Sequence, residues 1–131
     1  MSEENLEIVR RMYEAFHGGD GDRALSYFDP EVLLDASRRV DGGIVRGRDN
    51  LSATIARWVG TFDEWRQEIE AMRDVGDLVY VVATQRGRGK GSGVEVEVRY
   101  AVLYEIKGGK ISRMTDYPDP SEALEAAGLS E

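Results

Sequence analysis

The most constraining feature of the sequence is a long stretch near its C-terminal end in which apolar and charged residues alternate. Between residues 94 and 106 every second residue is valine, tyrosine or isoleucine, and most of the residues between them are glutamate or arginine. Because successive side chains of a β-strand point to opposite faces of the sheet, this pattern predicts a strand with one apolar face. A long strand of this kind belongs to a twisted sheet whose apolar face must be covered.

Three helices are predicted ahead of this strand. Apolar residues recur at helical spacing over residues 8–16, and two glycines then end the helix. A short second helix is predicted before Asp29-Pro30, because the residue before proline avoids helical geometry. A third helix is predicted to begin near Asp49, with an apolar stripe over residues 51–62.

After the third predicted helix, apolar and polar residues alternate with a period of two. Residues 65–71 and 78–84 alternate, and residues 110–117 complete a last strand after a Gly-Gly turn. Helices followed by meandering strands predict an α+β fold. The expected architecture is a cone-shaped barrel of a curved, mostly antiparallel sheet wrapped around a long helix, with two N-terminal helices closing one end. Residues 1–131 are expected to form a single domain.

Composition limits the partners and cofactors that we expect. The net charge is −8, from 25 acidic and 17 basic residues, whereas a nucleic-acid binder usually presents a basic surface. The sequence contains no run of 18 apolar residues, so no membrane span is predicted. Its acidic start lacks the basic and apolar blocks of a secretory signal, so a cytoplasmic location is expected. The chain has no cysteine and one histidine, His17, at a predicted helix end. Neither a metal nor a cofactor is therefore expected.

Four segments carry a resemblance to a known superfamily. Residues 11–20, 28–35, 45–49 and 109–117 resemble, in order and spacing, the nuclear-transport-factor-2-like superfamily, and within it the SnoaL-like and ketosteroid-isomerase-like branch. The resemblance implies a cone around a small-molecule pocket and a homodimer formed through the sheet. Since this superfamily includes isomerases, cyclases, hydrolases and proteins without chemistry, function must be argued from the site.

Two residues at matching positions are candidates for acid–base chemistry. Asp35 follows the apolar residues Val32-Leu33-Leu34, and burial there is expected to raise the pKa of its carboxyl group and suit it to proton transfer. The resemblance implies that Asp35 is a general base; the alternative is a strand-end aspartate bonded to loop amides. The resemblance also implies that Tyr13 donates a hydrogen bond to an enolate oxygen, whereas the alternative is a core aromatic on the helix stripe.

Asp116 is the third catalytic candidate. Thr115-Asp116-Tyr117 resembles the end of the last strand in related epoxide hydrolases and cyclases, where an aspartate enters the pocket. Facing Asp35 across a pocket, it is expected to share a proton or orient a water; the alternative is a turn aspartate. The sequence departs from the ketosteroid isomerases at Val102, where a second, protonated acid is expected.

Aromatic and apolar side chains at helix and strand positions are candidates to line the pocket, although such residues more often form simple core. The predicted ligand-binding residues are Phe16, Trp58, Phe62, Trp65, Tyr80, Tyr100, Val102, Tyr104 and Met114. They favour a small hydrophobic or aromatic ligand. Three functions stay open: an isomerase-, cyclase- or hydrolase-type enzyme that uses Asp35 and Asp116, a ligand-binding module without catalysis, and a dimerisation domain with a filled interior.

Overall fold

Two helices come first, two strands separate them from a third helix, and four further strands precede a short last helix. A computed structural model describes residues 2–40 and 42–129. In chain order its elements are α1 (Ser2–His17), α2 (Gly21–Leu25), β1 (Phe28–Asp35), β2 (Ile44–Arg46), α3 (Arg48–Val59), β3 (Phe62–Val75), β4 (Leu78–Gly89), β5 (Glu95–Lys107), β6 (Lys110–Tyr117) and α4 (Pro120–Ala126). The mixed α+β class predicted from the sequence is confirmed.

Residues at the helix ends explain several of these boundaries. Glu3 and Glu4 lie in the first turn of α1, where the helix dipole favours negative charge. The side chain of Asp20 accepts a hydrogen bond from the backbone N–H of Arg23 and caps α2. Asp119 caps α4 in the same way, accepting from the backbone of Ser121. Short polar side chains thus fix where the small helices begin.

The strands form one curved, unclosed sheet in the order β2-β1-β6-β5-β4-β3. The β1–β6 pair is parallel, and every other neighbouring pair is antiparallel. The parallel pair places the end of β1 beside the end of β6, with Asp35 opposite Thr115. The expectation of a mostly antiparallel curved sheet is therefore confirmed.

The two faces of the sheet pack against different helices. We call the face that carries Val81, Val102 and Tyr104 the inner face; these residues form the main core with Val9 and Met12 of α1. We call the opposite face the outer face, where Tyr80, Val82, Ala101, Leu103 and Tyr117 pack against Ala123 and Ala127 at α4. Alternation along β4 and β5 assigns neighbouring residues to opposite faces, since Val81 pairs with Val102 and Tyr80 with Leu103.

Irregularities in β3 change which residues reach the core. The register shifts between Asp63 and Arg66 and again between Ile69 and Ala71, and Glu64 has a positive φ of 54°. An extra residue at a bulge reverses the alternation beyond it. Ala71, predicted to share the apolar face with Ile69, is exposed, and Met72 packs against the core instead.

The apolar face of β5 begins later than the alternation indicates. Val94 precedes the strand and is 60% exposed, although its spacing predicts an inward position. From Val98 onward the even-numbered residues contact the inner core as predicted.

In the described part of the chain, no helix combines the length and apolar character needed to cross a membrane.

Candidate functional site

Two buried tyrosines from distant parts of the chain meet on the inner face. Tyr13 lies on α1 and Tyr104 on β5, and their hydroxyl oxygens are 2.5 Å apart. The rings pack edge to face, with centroids 6.0 Å apart at an interplanar angle of 85°. These contacts match the alternative interpretation of Tyr13, a core aromatic whose hydroxyl has a polar partner inside the fold.

Burial keeps these phenols protonated. Desolvation raises the pKa of Tyr13 and of Tyr104 well above the ordinary value, and the negative charge of Asp116 raises both further. Desolvation also raises the pKa of Tyr100, with a further contribution from Asp116 and opposing effects of Gln67 and Arg39. Neutral pH lies below even the ordinary tyrosine pKa of about 10, so all three hydroxyls are protonated there and can donate hydrogen bonds.

Asp116 lies on the same face and is held by an arginine that the sequence analysis did not single out. Asp116 pairs with Val102 across β5 and β6, which assigns it to the inner face. Arg39 donates from Nε and from Nη2 to the two carboxylate oxygens, the second at 3.2 Å. The carbon Cζ of the same guanidinium lies 5.5 Å from the centroid of the Tyr100 ring. The aspartate is thus an ion-paired carboxylate beside the phenols, not a turn aspartate.

Asp35 occupies a different environment from the one predicted. It lies one residue beyond the core residue Leu34 on β1 and therefore on the outer face. Its Oδ1 accepts from the backbone N–H and the hydroxyl of Ser37, and its Oδ2 accepts from Arg113 at 3.2 Å, with Arg38 at 3.8 Å. The hydrogen bonds from Ser37, followed by the two arginine charges, lower the pKa of the carboxyl group.

The raised pKa predicted for Asp35 is therefore wrong, although the residue is only 8% exposed. The prediction considered desolvation alone, whereas the hydrogen bonds and cations around this carboxylate outweigh it. Asp35 and Asp116 also do not face each other across a pocket, since they lie on opposite faces of the sheet. The alternative interpretation of Asp35, a strand-end aspartate bonded to loop groups, describes its contacts.

Two successive hydrogen bonds connect the protein surface to Tyr100. The exposed His17 places Nε2 2.9 Å from Oε1 of Gln67, and Nε2 of Gln67 donates to the hydroxyl of Tyr100. His17 also lies against Tyr13, with ring centroids 5.8 Å apart. Gln67 on β3 thus connects the end of α1 with the inner face of β5.

A second glutamine holds the two tryptophans. Oε1 of the buried Gln85 accepts from Nε1 of Trp58 at 2.8 Å and from Nε1 of Trp65 at 3.0 Å. Trp65 meets Phe16 edge to face, and Trp58 meets Phe62 in the same way. Trp58 is 41% exposed, so this aromatic group reaches from the inner face to the surface of the molecule.

The structure separates one predicted ligand-binding residue from the others. Tyr100, Val102 and Tyr104 belong to the inner core, and Phe16 and Met114 pack against it. Tyr80 instead lies on the outer face beneath α4, so its predicted place in the pocket is corrected. Alternation along β4 alone did not assign this face, which follows from the pairing of Tyr80 with Leu103 rather than with Val102 or Tyr104.

Two surface concavities lie away from these residues. A groove of about 390 Å³ is lined by Glu64, Arg66, Arg86, Gly87, Arg88, Glu95, Val96 and Glu97. A smaller one of about 260 Å³ is lined by Pro30, Gly47, Arg48, Asp49 and Asn50. None of the predicted ligand-binding residues lines either concavity.

Within residues 2–40 and 42–129, no three His, Cys, Asp or Glu side chains are grouped to hold a metal ion.

Arg39, Gln67 and Gln85 were missed as site residues. Parity along the strands assigns both glutamines to the inner face, since Gln67 pairs with Gln85 and Gln85 with Val98. A buried amide on an apolar face needs hydrogen-bond partners, which is the signal that a sequence offers. Arg39 has no such signal, because it lies in a loop whose path the sequence does not specify.

Comparison with known proteins identifies the family. The SnoaL-like domain profile matches residues 9–114. Uncharacterized proteins of Mycobacterium tuberculosis and Mycobacterium bovis are 30% identical over 123 residues, covering 89% of this chain and 91% of theirs.

Solved structures share the fold over nearly the whole chain. A nuclear-transport-factor-2-like protein of unknown function from Burkholderia pseudomallei has a TM-score of 0.76 at 24% identity, covering 93% of this chain and 95% of its own. TerC co-crystallized with polyporic acid has a TM-score of 0.74 at 21% identity, with 95% and 98% covered. A protein of ketosteroid-isomerase-like fold from Catenulispora acidiphila, in complex with trimethylamine, has a TM-score of 0.73 at 25% identity, with 95% and 94% covered. The profile match and the relatives show that the chain belongs to the SnoaL-like domain family, and the solved structures show that it has the nuclear-transport-factor-2-like fold.

Proposed function

We propose that the chain binds a small, flat, largely apolar molecule against the inner face, and that the phenols of Tyr13, Tyr104 and Tyr100 donate hydrogen bonds to an oxygen atom of that molecule. The observation that carries this proposal is the hydroxyl pair of Tyr13 and Tyr104. Only one of the two O–H protons lies between the paired oxygens, so the second is available to another acceptor. Protonated phenols in apolar surroundings are strong donors to an oxygen that carries negative charge.

The surroundings of the pair favour an aromatic ligand. Val102, Met114 and Phe16 supply apolar contacts beside the phenols, and Trp65 and Trp58 continue this surface outward. Sites for small molecules are typically apolar with a few placed polar groups. Two solved proteins of the same fold bind small molecules, polyporic acid in one and trimethylamine in the other. These complexes support small-molecule binding without specifying the ligand of this chain.

Binding of 2-naphthol, measured by tryptophan fluorescence, tests the proposal. Naphthalene serves as the matched ligand without an oxygen. We expect the wild-type chain to bind 2-naphthol more tightly than naphthalene, by about tenfold for one hydrogen bond in apolar surroundings. Tyr13→Phe/Tyr104→Phe is expected to weaken that preference, because only the hydroxyl of Tyr100 is left to donate. Equal affinities of the wild-type chain for the two ligands would contradict the proposal.

Acid–base catalysis with Asp116 as proton acceptor is the second candidate function. Its support is the position of Asp116 on the same face as the tyrosine pair, where it raises the pKa of both phenols. In such a reaction the carboxylate takes a proton from a carbon beside a carbonyl group, and the electron pair moves to the carbonyl oxygen, where a phenol donates to it. Arg39 donates one hydrogen bond to each carboxylate oxygen, which leaves a further lone pair on each oxygen to accept the proton.

Deuterium exchange into 2-tetralone in D₂O separates catalysis from binding alone. An enzyme of this type accelerates exchange at the carbons beside the carbonyl group, and Asp116→Asn abolishes that acceleration. A chain that binds 2-naphthol but leaves the exchange rate of 2-tetralone at the buffer value is a binding module. Asp35→Asn is the control, since its carboxylate lies on the outer face.

Homodimer formation through the sheet remains part of the proposal. The outer face beyond α4 carries ion pairs across three strands, from Glu68 to Arg86 and from Arg86 to Glu97. Such a surface suits a polar interface rather than an extended apolar one. Light scattering of the purified chain tests this expectation, and a monomer at every concentration would contradict it.

A further inference from the structure

The inner face contains a second arrangement with a recognisable ligand chemistry, formed by Asp116 and Tyr100. Asp116 pairs with Val102, and Tyr100 lies two residues before Val102 on the same face of β5. A carboxylate and the face of an aromatic ring are therefore neighbours on adjacent strands. This combination attracts organic cations, because the carboxylate supplies charge and the ring face supplies a negative quadrupole.

The guanidinium of Arg39 occupies this position. Its Nε and Nη2 donate to both carboxylate oxygens of Asp116, and its Cζ lies 5.5 Å from the centroid of the Tyr100 ring. These contacts are those that a small planar cation would make there. We propose that Asp116 and the Tyr100 ring form a subsite for an organic cation, an alkylammonium or guanidinium group, and that Arg39 fills it as an internal ligand.

The loop that carries Arg39 does not depend on this side chain for its own hydrogen bonds. The backbone N–H of Ala36 donates to Gly43, that of Arg39 to Ala36, and that of Gly42 to Arg39. Both walls of the subsite belong to strands of the sheet, β5 and β6. Removal of the Arg39 side chain should therefore leave the loop closed and the carboxylate and ring in position.

The subsite is accessible from solvent. The side chain of Arg39 is 28% exposed and that of Asp116 is 14% exposed, so the ion pair lies at the border of the inner face. Arg39 is tethered to the subsite, and a tether of this length corresponds to an effective concentration of the order of millimolar or above. A free cation must compete with it, so binding to the wild-type chain is weak unless the cation is part of a larger ligand that also contacts the inner face.

The neighbouring arginine provides a matched control. Arg38 lies with its Cζ 4.4 Å from the centroid of the Tyr117 ring and with Nη1 3.8 Å from Asp35, on the outer face. Asp35 differs from Asp116 because Ser37 and Arg113 also donate to it. Loss of Arg38 therefore leaves a carboxylate that is still neutralised, whereas loss of Arg39 exposes the carboxylate of Asp116.

Titration with N-methylguanidinium chloride, followed by calorimetry and by thermal unfolding, tests the proposal, with sodium chloride at equal ionic strength as the reference. We expect Arg39→Ala to bind this cation saturably, at least about tenfold more tightly than the wild-type chain does, and to gain thermal stability from it. Arg38→Ala should bind no better than wild type. Arg39→Ala/Asp116→Asn should show no saturable binding.

Equal responses of Arg39→Ala and Arg39→Ala/Asp116→Asn would overturn the proposal, as would a folded Arg39→Ala chain that does not bind the cation. Arg39→Gln, which is neutral and closer to arginine in length, replaces Arg39→Ala if the latter does not unfold cooperatively, and the same outcomes apply to it. The cation uses the carboxylate of Asp116 and the ring face of Tyr100, whereas 2-naphthol is proposed to use the hydroxyl groups of the tyrosines. A failure here and a failure of the proposed ligand binding are therefore distinguishable.

Discussion

The hydroxyl groups of Tyr13 and Tyr104 lie 2.5 Å apart in the core, although 91 positions separate the two residues in the chain. This contact connects α1 to the middle of the sheet. A buried hydroxyl that loses its partner retains its desolvation penalty. The pair therefore contributes both to the stability of the fold and to the donor properties of the inner face.

Removal of one hydroxyl should cost more than half of what removal of both costs. Tyr13→Phe or Tyr104→Phe leaves a buried phenol without its partner, for which we expect a loss of about 1–3 kcal/mol in the free energy of unfolding. Tyr13→Phe/Tyr104→Phe leaves no orphaned hydroxyl, so its loss should be smaller than the sum of the two single losses. Urea denaturation of the three variants measures this coupling. Strict additivity would show that the hydroxyls do not interact.

Stability should fall at alkaline pH because of the same phenols. Below the ordinary tyrosine pKa of about 10, Tyr13, Tyr100 and Tyr104 are protonated in both the folded and the unfolded chain. Above it the unfolded chain loses these protons, whereas the folded chain retains them because burial raises their pKa. The free energy of unfolding therefore decreases as pH rises above about 10.

The absorbance of tyrosinate, recorded together with unfolding, checks this prediction. Tyr13, Tyr100 and Tyr104 should ionise only as the chain unfolds. Tyr13→Phe should make the decline of stability with pH less steep. Full ionisation of all six tyrosines in a chain that is still folded would contradict the burial described here.

Asp35 should stabilise the fold without taking part in ligand binding. Ser37 and the nearby arginines lower the pKa of its carboxyl group in the folded chain. The resulting stabilisation is present above the unfolded-state pKa of about 3.9 and is lost as pH falls through the lower folded-state value. Asp35→Asn should therefore be less stable than wild type at neutral pH, with a difference that shrinks in acid, while its affinity for 2-naphthol is unchanged. A loss of that affinity would restore Asp35 as a site residue.

Gly42 should be irreplaceable in the loop that positions Arg39. A Cβ atom at this position would lie 1.7 Å from the carbonyl oxygen of Ala36, and backbone cannot move aside as a flexible side chain can. Gly42→Ala is expected to cost about 1–3 kcal/mol in the free energy of unfolding. Gly43→Ala is the control, because no atom lies within 4 Å of a Cβ placed there. Similar thermal unfolding of the two variants would show that the loop adapts.

The fold was predictable because its main signals are periodic. The alternation over residues 94–106 predicted β5, and the apolar stripes predicted α1 and α3. The errors occur where periodicity fails. A bulge between Ile69 and Ala71 reverses the inward face of β3, and Val94 lies before β5 begins.

The candidate site was only partly predictable, because contacts between distant segments determine it. Tyr13 and Asp116 were both predicted as site residues, and both lie at the inner face, Tyr13 through its contact with Tyr104 and Asp116 through its pairing with Val102. Asp35 shows where a resemblance in sequence fails to predict chemistry. Ser37 and Arg113 hydrogen-bond to its carboxylate, and neither contact could be predicted from the matching position. Parity along one strand assigned Tyr80 correctly only once its pairing with Leu103 was known.

Nuclear Overhauser effects between 2-naphthol and the protein test the central claim most directly. The account predicts contacts from the ring protons of the ligand to Tyr104, Val102 and Met114 on the inner face. Contacts only to Val96 and its neighbours, in the groove lined by Arg86 and Arg88, would contradict it.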